Sequence, residues 1–238
     1  MVGIGPGARN EMSHRALDAL KNSDTIVGYK LYIDLIADIV KDKQLIASAM
    51  RKEIERVELA IQEAQLGKIV SIISSGDPGV YGMAGLVLEI AYKENIDLPI
   101  EIIPGIPAAN AAAAVLGAPL MHDYAVISLS DLLTPWEIIE KRVKCAAESD
   151  FVIVLYNPMS SQRDWQLKKA SEIILRHKSP NTPVGIVKDA SREGESVVLT
   201  TLDKMITHHI DMTTVIIIGN STTFNYRNYM VTRRGYHM

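Results

Sequence analysis

Residues 69–82 read IVSIISSGDPGVYG, and this stretch decides the fold. Ile69 to Ile73 is an apolar run with the character of a buried strand. Ser75 to Gly79 is a glycine- and proline-containing loop, and Val80 to Lys93 returns to helical spacing. In open α/β sheets, ligands bind beyond the carboxyl ends of strands. The loop from Ser75 to Gly79 is therefore a candidate binding element.

The same alternation runs outward in both directions. Upstream, Glu53 to Leu66 is a strongly periodic helix closed by Gly67, and Leu45 to Ala47 and Thr25 to Val27 are strands. Leu31 to Val40 is apolar at helical spacing. Glu11 to Asn22 reads as a helix with Asn10 as its N-cap. Met1 to Ile4 is a first strand, short enough that a few residues are expected ahead of it. Downstream, Ile100 to Ile103 is a strand and Ala108 to Leu116 an alanine-rich helix. A second series begins with the strand Tyr124 to Leu129. Pro135 to Glu148 is a helix with Thr134 as its cap. Phe151 to Tyr156 is a strand, Trp165 to His177 a helix, and Val184 to Val187 a strand with Val197 to Thr200 as its hairpin partner. Leu202 to His208 is a short helix, Val215 to Ile218 a last core strand, and Tyr229 to Thr232 an edge strand.

Strands alternating with helices predict an α/β fold. The pattern breaks near Gly117 to Tyr124, which divides the chain into two α/β domains, 1–119 and 120–238, with a ligand cleft expected between them. The 238 residues carry 25 Lys+Arg and 28 Asp+Glu, and 47% are hydrophobic, an ordinary globular composition. The net charge of −3 gives no global attraction to nucleic acid or to an anionic membrane. The single cysteine, Cys145, excludes an internal disulfide and reads as a buried, inert thiol in a reducing compartment. The longest apolar stretches fall short of a membrane span. A cytoplasmic protein is expected.

Four more loops follow strands: Gly3 to Gly7, Pro104 to Pro107, Tyr156 to Pro158 and Lys188 to Ser191. With Ala8, the first fits the dinucleotide fingerprint. Pro6 argues against that reading, because a phosphate cradle uses backbone N–H donors and proline has none. In the second loop, Asp77 suits a ligand ammonium or hydroxyl, or else caps the following helix. Together the five loops suit a neutral or zwitterionic, heteroatom-rich ligand held mostly by backbone. His14, His122, His177, His208 and His209 read as structural or surface residues, and Trp136 and Trp165 as packing residues. No metal-ligand spacing and no nucleophile–base motif stands out.

Three segments in this order, VGIGPG (Val2–Gly7), SGDPGVYG (Ser75–Gly82) and PGIPAAN (Pro104–Asn110), resemble the signatures of the tetrapyrrole methylase family. The resemblance covers nearly the whole chain. Ser23–Ile36, Ile127–Arg142, Leu155–Arg163 and Gly185–Glu195 are similar to one branch of it, which Asn157-Pro158 after Tyr156 favours. Ser13 stands where many relatives have threonine, and both carry a hydroxyl.

The resemblance implies two α/β domains with mixed sheets and a cleft for S-adenosylmethionine, which leaves as S-adenosylhomocysteine. It implies a donor site of Pro6, Ser75, Gly76, Asp77, Val80, Pro107, Ala108, Asn157 and Ala190, and a homodimer. It also implies methylation at C17 of an electron-rich tetrapyrrole, with contraction of the macrocycle and lactone formation, in cobalamin biosynthesis. Loop position makes Ser130, Asp131 and Tyr81 the catalytic candidates, although Asp131 equally suits a helix cap. The many carboxylates of a tetrapyrrole call for cationic partners, and Arg163, Lys188 and Arg192 sit in or just after the loops. Another C-methylation of the same family and a non-catalytic S-adenosylmethionine-binding module remain as alternatives. Nucleic-acid and membrane partners are not expected, and no metal is.

Overall fold

The computed structural model describes residues 1–49, 52–160 and 163–237. The chain forms two compact units, Met1–Ala108 and Ala109–Met238. The first contains β1 (Val2–Gly3), α1 (His14–Asn22), β2 (Thr25–Tyr29), α2 (Lys30–Asp34), α3 (Ala37–Val40) and β3 (Gln44–Ser48). It continues with α4 (Glu53–Gln65), β4 (Val70–Ser74) and α5 (Ala84–Lys93).

Its four strands form a parallel sheet in the order β1-β4-β2-β3. Successive side chains of a strand point to opposite faces, so the paired residues Ile26/Val27 and Ile72/Ile73 feed two cores. Ile26 and Ile73 join Leu20, Ile33 and Val40 from α1, α2 and α3. Val27 and Ile72 join Val57, Ala60, Val87 and Ile90 from α4 and α5. Covering both faces is what makes these strands continuously apolar. Arg56 of α4 is buried and donates to Ser48 Oγ at 2.7 Å and to the Ala49 carbonyl at 3.0 Å, which fixes the end of β3.

The second unit takes in all but the first residue of α6 (Ala108–Leu116), then β5 (Gly117–Ala118), β6 (Tyr124–Ser128), α7 (Trp136–Glu148), β7 (Val152–Tyr156) and α8 (Trp165–Ile174). It ends with β8 (Pro183–Lys188), β9 (Ser196–Thr201), β10 (Thr214–Ile218), β11 (Thr223–Tyr226) and β12 (Tyr229–Thr232). A mixed five-stranded sheet has the order β6-β7-β10-β8-β9, with β6 and β7 parallel and the other neighbours antiparallel. The apolar faces of α7 and α8 cover it through Ile139, Val143, Leu167, Ala170 and Ile174.

Several local expectations are corrected. The first long helix starts after Ser13, whose Oγ accepts from Ala16 N at 3.1 Å, because a 3-10 turn at Arg9–Glu11 intervenes. The segment from Leu31 to Val40 is two short helices. Ile103 makes an isolated bridge to Val2 and no strand forms over 100–103. α7 starts at Trp136 with Pro135 in the cap position, so Thr134 does not cap it. The 202–208 segment holds only a 3-10 turn at Met205–Thr207. β12 is the central strand of a three-stranded sheet, β11-β12-β5, and not an edge. Cys145 is exposed, on the outer side of α7. Among the described residues, no helix is long and apolar enough to cross a membrane.

Candidate active site

In the first unit, three loops at the carboxyl ends of the strands are joined through their backbones. Gly5 and Gly76 exchange hydrogen bonds, with N···O distances of 3.2 and 2.7 Å. Asp77 Oδ2 accepts from Gly105 N at 3.1 Å, and its Oδ1 accepts from Gly79 N at 2.8 Å. A Cβ on Gly3 would sit 2.6 Å from Gly105 N and 2.8 Å from the Gly76 oxygen, and one on Gly105 would run into that same oxygen. Glycine is therefore required at these positions by close approach of chain to chain.

Asp77 does not cap the following helix. Its side chain closes a turn on Gly79, and Ala84 N returns to the Pro78 carbonyl at 2.9 Å, so α5 begins four residues later than the spacing predicts. The turn leaves Tyr81 exposed with φ +52°. Pro6 and Gly76 are buried, Ser75, Asp77, Pro107 and Ala108 half-buried, and Val80 exposed. The loops from Gly3 to Gly7, Ser75 to Gly82 and Pro104 to Ala108 contain no lysine or arginine. A cavity of about 560 Å³ in this unit lies elsewhere, lined by Met1, Ala60, Ile69, Val70, Leu98 and Glu101 among others. It is close to the beginnings of β1 and β4, away from the candidate loops.

In the second unit, β6 and β7 bring two loops together. Asn157 Nδ2 donates to Ser128 Oγ at 3.0 Å, and that hydroxyl also accepts from Ser130 N at 3.2 Å. Tyr156 OH accepts from Ala109 N at 2.7 Å, which ties the loop to the first turn of α6. Arg163 Nη1 donates to the Asn157 carbonyl at 2.6 Å. Burial lowers the proton affinity of Arg163, and the Asp131 carboxylate works against this. Asp131 does not cap α7; its Oδ2 accepts from Gln166 Nε2 at 3.0 Å. Gln166 was not singled out by the sequence, since an amide on a helix reads as solvated surface, yet it is 2% exposed.

β8 ends on Lys188, and the loop after it carries Ala190 and Arg192. Ala190 is buried. Lys188 Nζ lies 2.8 Å from Asp211 Oδ2. The carboxyl of Asp211 is drawn down to about 2: burial alone would raise it, but Lys188, Thr213 and Thr214 outweigh that. Asn157, Asp189 and Ser191 have φ of +49°, +49° and +61°. With Tyr81, they are four of the seven non-glycine residues with positive φ among the described residues. Such conformations concentrate where loops must aim particular groups.

Comparison with known proteins places the chain in a family. The family model of the tetrapyrrole (corrin/porphyrin) methylases matches residues 1–206. The chain is 50% identical over 236 residues to the probable cobalt-factor III C(17)-methyltransferase of Salmonella typhimurium, covering 99% of this chain and 98% of that protein. It is 48% identical over 240 residues to the cobalt-factor III methyltransferase of Priestia megaterium, where 99% of this chain spans 44% of the longer relative. The crystal structure of the methyltransferase CobJ superposes with a TM-score of 0.92 at 35% identity, covering 98% of both chains. Sequence over nearly the whole length and fold thus agree, and the chain belongs to the tetrapyrrole methylase family.

Proposed function

We propose that this protein methylates C17 of cobalt-factor III, using S-adenosylmethionine, as a step of cobalamin biosynthesis. The observation that carries the reading is the match to the Salmonella relative over nearly the full length of both chains. The loops support it by their chemistry. Those of the first unit lack cationic side chains and present backbone and one carboxylate, which suits a sulfonium donor with ribose hydroxyls and an amino acid end. Those of the second unit carry Arg163, Lys188 and Arg192, which suit a substrate with many carboxylates.

S-adenosylmethionine supplies the activated methyl group when bound. The protein supplies position and shelter from water. Pro6, Ser75, Gly76, Val80, Pro107, Ala108, Asn157 and Ala190 are the donor-binding residues in this reading. Asp77 adds a carboxylate whose oxygens each accept one backbone N–H and retain capacity for a ligand N–H or O–H. Ser130 and Tyr81 orient the acceptor, and Asp131 takes the proton that a tetrapyrrole must lose after gaining a methyl cation equivalent. Ring contraction accompanies the transfer. The reading includes a cytoplasmic homodimer, which sizing by light scattering tests.

The decisive experiment is anaerobic incubation with S-adenosylmethionine and cobalt-factor III, precorrin-3B or uroporphyrinogen III, followed by mass spectrometry. A product one methyl heavier from the cobalt substrate alone supports the proposal. Methylation of precorrin-3B alone moves the protein to a cobalt-free substrate, and methylation of uroporphyrinogen III alone to another position on the ring. Donor binding without any product leaves a non-catalytic module.

A further inference from the structure

Gln166 sits on the first turn of α8 and is 2% exposed. Its Nε2 donates to Asp131 Oδ2 at 3.0 Å, while its Oε1 is buried without a hydrogen-bond partner. A buried acceptor left unmatched is costly, so an amide kept only for stability would be better replaced by an apolar side chain. Its neighbours give it another use. Trp136 and Trp165 pack edge to face with ring centroids 4.8 Å apart, joining the start of α7 to the start of α8.

A primary amide has two different ends. With Asp131 ionised, Nε2–H donates to the carboxylate, as observed. With Asp131 protonated, a half-turn of the amide lets Oε1 accept the new O–H. We propose that Gln166 is a positioning residue that holds Asp131 in both protonation states, so that Asp131 receives and releases a proton without leaving its place. The proposal rests on the reading of Asp131 as proton acceptor. One proton leaves the methylated tetrapyrrole, whose charge rose by one on gaining the methyl group. It resides on Asp131, hydrogen-bonded to Gln166 Oε1, and passes to solvent at the half-exposed loop. The charged groups on the adjoining helix starts are Arg163 and Asp164 just ahead of α8, Lys168 in its first turn and Glu137 in the first turn of α7. Of these, Arg163 interacts electrostatically with Asp131.

The test compares the full-length protein with Gln166→Leu, Asp131→Asn and the double variant, measuring kcat against pH with S-adenosylmethionine and cobalt-factor III. Gln166→Leu should lower kcat about tenfold with the donor KM unchanged. Its acid limb should move to higher pH by about one unit, because the carboxylate loses a donor. In the Asp131→Asn background the same change should cost nothing further. Equal losses in both backgrounds, or an unmoved limb, overturn the inference while leaving the proposed function intact. If wild-type protein methylates no tetrapyrrole, the function and the inference fall together. Gln166→Glu guards against a Gln166→Leu variant that does not fold. It keeps the shape and forces two carboxyl groups to share a proton, so its limb must also rise, and an unmoved limb overturns the inference.

Discussion

The carboxylate of Asp77 reaches across from the loop after β4 to accept a hydrogen bond from Gly105 N, at 3.1 Å, while its other oxygen accepts from Gly79 N. One side chain thus sets the shape of its own loop and fastens it to a second. Asparagine keeps only one of the two oxygens and turns an N–H toward a main-chain N–H. Asp77→Asn should therefore lose about 1–3 kcal/mol of stability. It should also weaken binding of S-adenosylhomocysteine by about tenfold or more. Scanning calorimetry and titration calorimetry measure the two effects separately.

Gly105 meets the Gly76 carbonyl, and backbone cannot step aside as a side chain can. Gly105→Ala should cost about 3 kcal/mol or more, at the upper end for overpacking. Gly85, on the exposed side of α5, has nothing within 4 Å of an added Cβ. Gly85→Ala should stabilise the protein by about 0.5–1 kcal/mol. Urea denaturation of the two variants should therefore move the midpoint in opposite directions.

Asn157 combines φ +49° with an amide that donates to Ser128 Oγ at 3.0 Å. Leucine would lose the hydrogen bond and keep the strained backbone, at a further cost of about 1–2 kcal/mol. Glycine would lose the hydrogen bond but relax the backbone. Asn157→Gly should melt above Asn157→Leu, and both should bind the donor more weakly than wild type. Equal melting temperatures would show that the amide alone matters.

Asp211, held at about 2 beside Lys188, gives a pH dependence of defined sign. Because the folded value lies below the unfolded one, near 4, the charged form stabilises the fold above that pH. The contribution fades as pH falls from about 4 toward about 2. The melting temperature of wild type minus that of Asp211→Asn should be constant at neutral pH and shrink through this window. A difference that persists unchanged to pH 2 would mean that Lys188 does not stabilise the carboxylate.

Much of this architecture is legible in the sequence where burial imposes a period. Ala108 to Leu116 and the hairpin of β8 and β9 follow directly from apolar spacing and from the turn-rich residues between them. Legibility fails where a side chain replaces the period as the determinant. Val80 and Tyr81 look helical, but the Asp77 turn and the bond from Ala84 N to Pro78 O hold them out of α5. β11 and β5 are missed because Thr-Phe-Asn-Tyr and Gly-Ala are too short to show alternation, and so β12 looked like an edge. The candidate loops are visible from glycine, proline and their resemblance to known signatures. Gln166 is not, because its burial depends on how α7 and α8 meet at Trp136 and Trp165.

The seam formed by Gly3, Gly76 and Gly105 also limits how the protein can be re-engineered. Gly3 and Gly105 are each fixed by a segment far away in the sequence, and Gly76 by its own φ of +66°, so a loop transplanted alone from a relative arrives without the surface it must fit. Chimaeras that exchange 2–7, 75–82 and 104–110 as a set keep matched edges, whereas single-loop grafts face mismatched ones. Redesigning these loops is thus a three-segment problem from the outset.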